Sequence, residues 1–199
     1  VVLLATMGGM VWQGWQAFGK KSSGERLARS EKSAQWLRGS FENPQPLKND
    51  FAGSISAMFK TGKFTAPTGV IPVERSDGAQ YKTQPESGLR VTWFGHSSTL
   101  VEIDGMRVLT DPVFAERVSP FTWLGPKRWY APPVAFADLP PIDAVVISHD
   151  HYDHLDMHSV KLLRSGKAIF VVPLGIGVVT AVPALREAGA GLYRGIPLR

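Results

Sequence analysis

The sequence predicts an α/β layered fold, and three observations in the second half of the chain predict it. Short runs of β-branched and aromatic residues recur there. One of them, Ala144-Val145-Val146-Ile147, is wholly apolar, as in a strand buried on both faces. The turn signal Asp104-Gly105 separates two such runs. A helix-like stretch, residues 156–163, lies between two more, giving the strand, helix, strand order of a crossover unit with its chemistry at a strand's C-terminal end.

Taken in order, the chain opens with nineteen uncharged residues, starting Val1-Val2-Leu3-Leu4-Ala5 without an initiator Met. They read as a membrane anchor, a secretory apolar segment or a buried helix. A full span needs about 20 predominantly apolar residues, and Gln13, Gln16 and four glycines interrupt this stretch. Residues 25–37 suit a helix, with Ser22 or Ser23 as N-cap, Leu27, Ala34 and Leu37 as apolar positions and Gly39 as the stop. Residues 41–88, rich in Pro, Gly, Ser and Lys, form an arm over the domain or a linker. Strands are expected at 89–94, 99–103 and 106–110. A loop with seven prolines follows, carrying Phe121, Trp123, Trp129 and Tyr130, which either rim a site or pack down. Residues 143–148 are a strand, 156–163 a helix and 168–172 a further strand.

The 199 residues, 44% of them hydrophobic, allow one cored domain and an N-terminal appendage. The divisions are 1–19, an anchor or signal remnant; 20–88, a basic helix and arm; 89–177, the domain; and 178–199, an atypical tail. The absence of cysteine excludes disulfides and thiolate ligands, so any metal is held by His and carboxylates. The net charge of +5 is N-terminal: residues 1–63 hold nine Lys/Arg against four Asp/Glu, and the remainder thirteen of each. Basic residues after an apolar stretch suit an anionic membrane surface. Nucleic acid is not an expected partner, because the excess lies outside the catalytic segment.

Three of the five histidines fall within six residues: His149, His151 and His154, with Asp153 among them. On an extended turn, residues two apart point the same way, so His149 and His151 suit one ion. Asp153 and His154, at the start of the next helix, suit a second. Two such ions share a bridging water, lower its pKa and clamp the oxygens of an ester undergoing hydrolysis. Asp150 and Asp156 stand equally as carboxylates fixing imidazole tautomers or as helix-start charges.

The segment His149-Asp150-His151-Tyr152-Asp153-His154 resembles the His-x-His-x-Asp-His signature of the metallo-β-lactamase superfamily. The strings Thr92-Trp93-Phe94-Gly95-His96, Leu109-Thr110-Asp111-Pro112, Gly125-Pro126-Lys127-Arg128 and Pro140-Pro141-Ile142-Asp143-Ala144-Val145, with Phe41-Glu42-Asn43-Pro44 upstream, are similar to one branch. That branch holds N-acyl-phosphatidylethanolamine-hydrolysing phospholipase D and its bacterial relatives. The resemblance runs from residue 89 to 177. It implies the N-terminal portion of a four-layer αββα sandwich with two zinc ions, the first on His149 and His151, the second on Asp153 and His154. Asp153 is the candidate catalytic carboxylate. His96 contacts substrate, holds the metal shell or is simply hydrogen-bonded in place. Asp111 orients a metal-bound His or caps its own turn. Lys127 and Arg128 meet a phosphate or are solvated. Nothing in the sequence distinguishes zinc from iron or manganese.

The superfamily also needs a downstream His for each site and a bridging Asp, yet no His follows His158 and no Asp follows Asp156. Residues 181–199 resemble neither a capped helix nor a strand of the family. The expectation is therefore a truncated or frame-shifted chain that leaves apolar sheet uncovered and folds poorly alone. The first functional expectation is a zinc-dependent hydrolase of phosphodiesters of the N-acyl-phosphatidylethanolamine type, at a membrane surface. The alternatives are the same fold acting on a lactone or another ester, and an inactive membrane-associated remnant. A cytoplasmic location is the alternative address.

Overall fold

The computed structural model describes residues 21–46, 66–163, 166–176 and 194–196, with a few isolated positions between 50 and 62. The apolar segment expected to be an anchor, residues 1–19, lies outside the described residues. Among those described, no helix is long and apolar enough to cross a membrane.

Helix α1 covers Gly24–Glu31, with Ser23 at its N-cap, Glu25 in the first turn and Arg29 in the last, charges that suit the helix dipole. It is shorter than the expected 25–37. Arg38 and Gly39, with φ of 52° and 85°, form a two-residue turn between β1 (Trp36–Leu37) and β2 (Ser40–Phe41). The rings of Trp36 and Phe41 meet edge to face at 4.9 Å across it. Cross-strand packing thus takes Trp36 and Leu37 out of the helix, and Gly39 serves the hairpin rather than a helix stop.

The main sheet has the order β3-β4-β5-β6-β7-β8. Its members are β3 (Leu89–Gly95), β4 (Ser98–Ile103), β5 (Met106–Thr110), β6 (Ala144–Val146), β7 (Ile169–Pro173) and β8 (Arg194–Ile196). The first three pair antiparallel and the rest parallel, with α2 (Met157–Leu163) crossing from β6 to β7. Asp104 and Gly105, with φ of 51° and 76°, make the expected tight turn between β4 and β5. Strand β8 corrects the reading of the tail, in which no strand was expected. Three residues with a Gly at their centre carry too little apolar pattern to show as one.

One sheet face carries the core. Leu100, Leu109, Val145 and Phe170 are cross-strand partners in one continuous row, and each is at most 3% exposed. Met157, Val160 and Leu163 of α2 pack with them. The opposite face is apolar and open: Leu89, Val91, Trp93, Ile103, Met106 and Ile169 are 43–60% exposed.

The arm is tied down by charge. Glu102, 2% exposed on β4, accepts from Arg90 Nη2 at 2.9 Å and lies 3.5 Å from Arg107 Nε. The same two guanidiniums donate to the carbonyls of Thr83 and Tyr81, at 3.0 and 2.8 Å. The short 3-10 turn Ala79–Lys82 is thereby stitched to the sheet, with Tyr81 in the core.

Candidate metal centre

Strands β3, β5 and β6 run in the same direction, so their C-terminal ends converge at one sheet edge. There the chain places His96, Asp111 and the segment 148–154. A bulge at Trp93/Gly95 ends β3 and re-aims the residues that follow. His96 and Asp111 both have positive φ, 49° and 37°, in the left-handed region that non-glycine residues enter rarely. The Trp93 indole donates to the His96 carbonyl at 2.7 Å and holds that turn.

Asp111 is 7% exposed. Its Oδ1 accepts from the Ser148 backbone N–H at 2.7 Å, and its Oδ2 accepts from Ser148 Oγ at 2.7 Å and from His154 Nδ1 at 2.9 Å. An ionised carboxylate only accepts, so the network assigns the His154 proton to Nδ1 and leaves the lone pair on Nε2. Ser148 spends its one proton on Asp111, so its oxygen is free to accept from His149 Nδ1, 2.9 Å away. Among the described residues, no hydrogen bond reaches His149 Nε2. A divalent cation takes neutral imidazoles whose second nitrogen is held by an internal acceptor, and these residues fit one.

The rings cluster. His149 lies 4.0 Å from His154 and 4.7 Å from His151, centroid to centroid, and His96 lies 5.0 Å from His154. Asp153 Oδ2 is 2.9 Å from His96 Nε2 and 3.7 Å from His154 Nε2. Burial opposes ionisation of Asp153. Its own backbone N–H and the His154 and His96 imidazoles outweigh that and hold the carboxyl below its ordinary value.

The structure therefore brings His149, His151, Asp153 and His154 together, with His96 and Asp111 beside them. Asp156 is not among them. Its Oδ2 accepts from the Ser159 N–H at 3.1 Å, Ser159 Oγ at 2.6 Å and the Ala115 N–H at 3.2 Å, and its Oδ1 from the His158 N–H at 3.0 Å. It caps α2, whose first N–H groups lack helical partners, and ties the helix to the loop after β5. These are the contacts of a helix-start charge, one of the two readings that the sequence leaves open for Asp156.

Lys127 keeps the solvated alternative, whereas Arg128 fits neither of the two readings. Lys127 pairs with Glu116. Arg128 is half-buried and donates to the carbonyls of Val113 and Phe94, both at 2.7 Å, and of Tyr130 at 3.2 Å; desolvation pushes its pKa down. Gly95 admits it: a Cβ there would stand 2.8 Å from Arg128 Nη2 and Tyr130 Oη. Sequence reading missed Ser148, whose only signal is its place before His149, and Trp93, which reads as an ordinary strand residue.

A cleft of about 1340 Å³ opens beside the cluster. Its walls are arm residues such as Ile71, Val73 and Arg75, the strand β3 and the loop residues Trp129, Tyr130 and Val134, with His96 and Asp153 at the lining. The aromatic cluster thus divides: Trp129 and Tyr130 line the cleft, while Phe121 and Trp123 pack on each other at 5.7 Å.

A mixed α/β sheet with a His/Asp cluster at its strand ends defines the class, and comparison with known proteins gives the family resemblance. Residues 106–188 match the family described as Beta-lactamase superfamily domain, so the similarity continues past residue 177, where the motifs alone stop. The resemblance to the metallo-β-lactamase superfamily is thereby shown. An uncharacterized protein of Mycobacterium tuberculosis is 60% identical over 92 residues, 46% of this chain and 25% of that protein. N-acyl-phosphatidylethanolamine-hydrolyzing phospholipase D 1 of Caenorhabditis elegans is 47% identical over 93 residues, 46% of this chain and 26% of that protein. A metal-dependent hydrolase of Pyrobaculum neutrophilum is 33% identical over 100 residues, 50% of this chain and 39% of that protein. The chain spans about a quarter of the length of the first two relatives.

Proposed function

We propose that this chain carries the metal-holding edge of a metal-dependent hydrolase that cleaves phosphodiesters of the N-acyl-phosphatidylethanolamine type. The observation that carries the reading is the Asp111–Ser148 network, which turns the Nε2 atoms of His149 and His154 outward as metal donors, that of His154 beside Asp153. His149 and His151 would hold one zinc ion, and Asp153 and His154 a second. Bound there, the ions would supply a water of lowered pKa and neutralise charge on the phosphoryl oxygens. The protein's own groups do the remaining work. Asp111 fixes ring orientation, and the cleft walls of Ile71, Val73 and Trp129 suit an acyl chain, with Arg75 suiting its phosphate. The named activity of the Caenorhabditis elegans relative supports the substrate class. The basic residues between 20 and 63 support a lipid surface as the place of action.

The test is a chimaera in which this chain's matched segment replaces that of the Caenorhabditis elegans relative. Release of acylethanolamide from N-acyl-phosphatidylethanolamine micelles supports the assignment. A folded, zinc-loaded chimaera that turns over lactones and not the phospholipid sinks it.

A further inference from the structure

We infer that His96 is a metal ligand, completing with Asp153 and His154 a three-donor position for one divalent cation within this chain. The inference rests on the metal reading above and extends it to a residue outside the 149–154 segment. One ligand atom from each of the three lies within 4.8 Å of the others. Two donors held about 2.1 Å from a tetrahedral ion are about 3.4 Å apart. The separations on Asp153 Oδ2, 2.9 Å to His96 Nε2 and 3.7 Å to His154 Nε2, bracket that value.

The donors are of the right kind. His154 has its Nδ1 committed to Asp111, so Nε2 is the atom it presents. His96 faces Asp153 through Nε2, and the proton they share is the one a cation would displace. The position is open to entry, since the side chains of His96 and Asp153 are 53% and 38% exposed.

The backbone at His96 points the same way. A non-glycine residue in the left-handed region costs about 1–2 kcal/mol, and here a bulge, Gly95 at φ 106° and the Trp93 indole hold it there. The result is an imidazole from β3 carried onto a carboxylate 57 residues away in sequence.

The experiment follows 15N-histidine NMR of the chain through a zinc titration, alongside His96→Asn, which tolerates the left-handed backbone. The ring nitrogens of His96 and His154 should shift together, and His96→Asn should bind zinc at that position about a hundred-fold more weakly. Circular dichroism of the zinc-free variant should match the parent, and His158→Gln, on the exposed side of α2, should bind as the parent does. If His154 shifts and His96 does not, or if His96→Asn titrates like the parent, the inference falls and the metal reading stands. If no histidine responds to zinc, both fall.

Discussion

Asp111 Oδ2 and His154 Nδ1 meet at 2.9 Å across 43 residues of sequence, and that bond decides which nitrogen of His154 faces outward. Asp111→Asn replaces a pure acceptor with a group that also donates, and Asn tolerates the residue's φ of 37°. Zinc affinity should fall about ten- to a hundred-fold with the fold intact, as read by competition against a chromogenic chelator.

Glu102 is the only carboxylate that contacts Arg90 and Arg107 among the described residues. Glu102→Ala leaves two guanidiniums beneath the arm without their counter-charge. Stability should drop by about 3–5 kcal/mol, measured as a lower urea midpoint, and protease cleavage in residues 66–88 should accelerate.

Tyr152 is pushed up to about 12 by burial and, in second place, by the charge of Asp156. Its neutral phenol is the favoured form in the fold, so its contribution is fully present below the ordinary value of 10 and is lost as pH rises towards 12. Tyr152→Phe should remove that part of the alkaline loss, leaving a thermal midpoint that declines less than the parent's above pH 10.

Gly95 combines φ of 106° with two polar atoms 2.8 Å from where a Cβ would stand. Gly95→Ala should destabilise by about 1–3 kcal/mol. Gly69→Ala, where nothing lies within 4 Å, should change stability by less than about 0.5 kcal/mol. Parallel thermal melts of the two compare the positions directly.

The sheet was legible where the pattern is local. The β-branched runs, Asp104-Gly105 and the 144–147 run place β3 to β6 and the turn within a residue or two, and the crossover helix starts where Asp156 caps it. The first helix was overextended because Trp36 and Leu37 fit a helical period as well as a strand, and only their pairing with Phe41 and Ser40 decides between them. Among site residues, the histidines announce themselves by clustering. Ser148 and the carbonyl-bound Arg128 do not, because a hydroxyl before a motif and a basic residue in a loop acquire their roles only from partners 15 to 37 residues away.

The open sheet face makes heat capacity the most telling bulk property of this chain. Val91, Trp93, Ile103 and Met106 already meet water in the folded state, so unfolding has less new apolar surface to hydrate. The heat-capacity increment should therefore fall below the usual figure of about 12–15 cal/mol/K per residue. A smaller increment flattens the stability curve, so that warming and cooling both erode a modest margin slowly, and the melting transition is broad rather than abrupt.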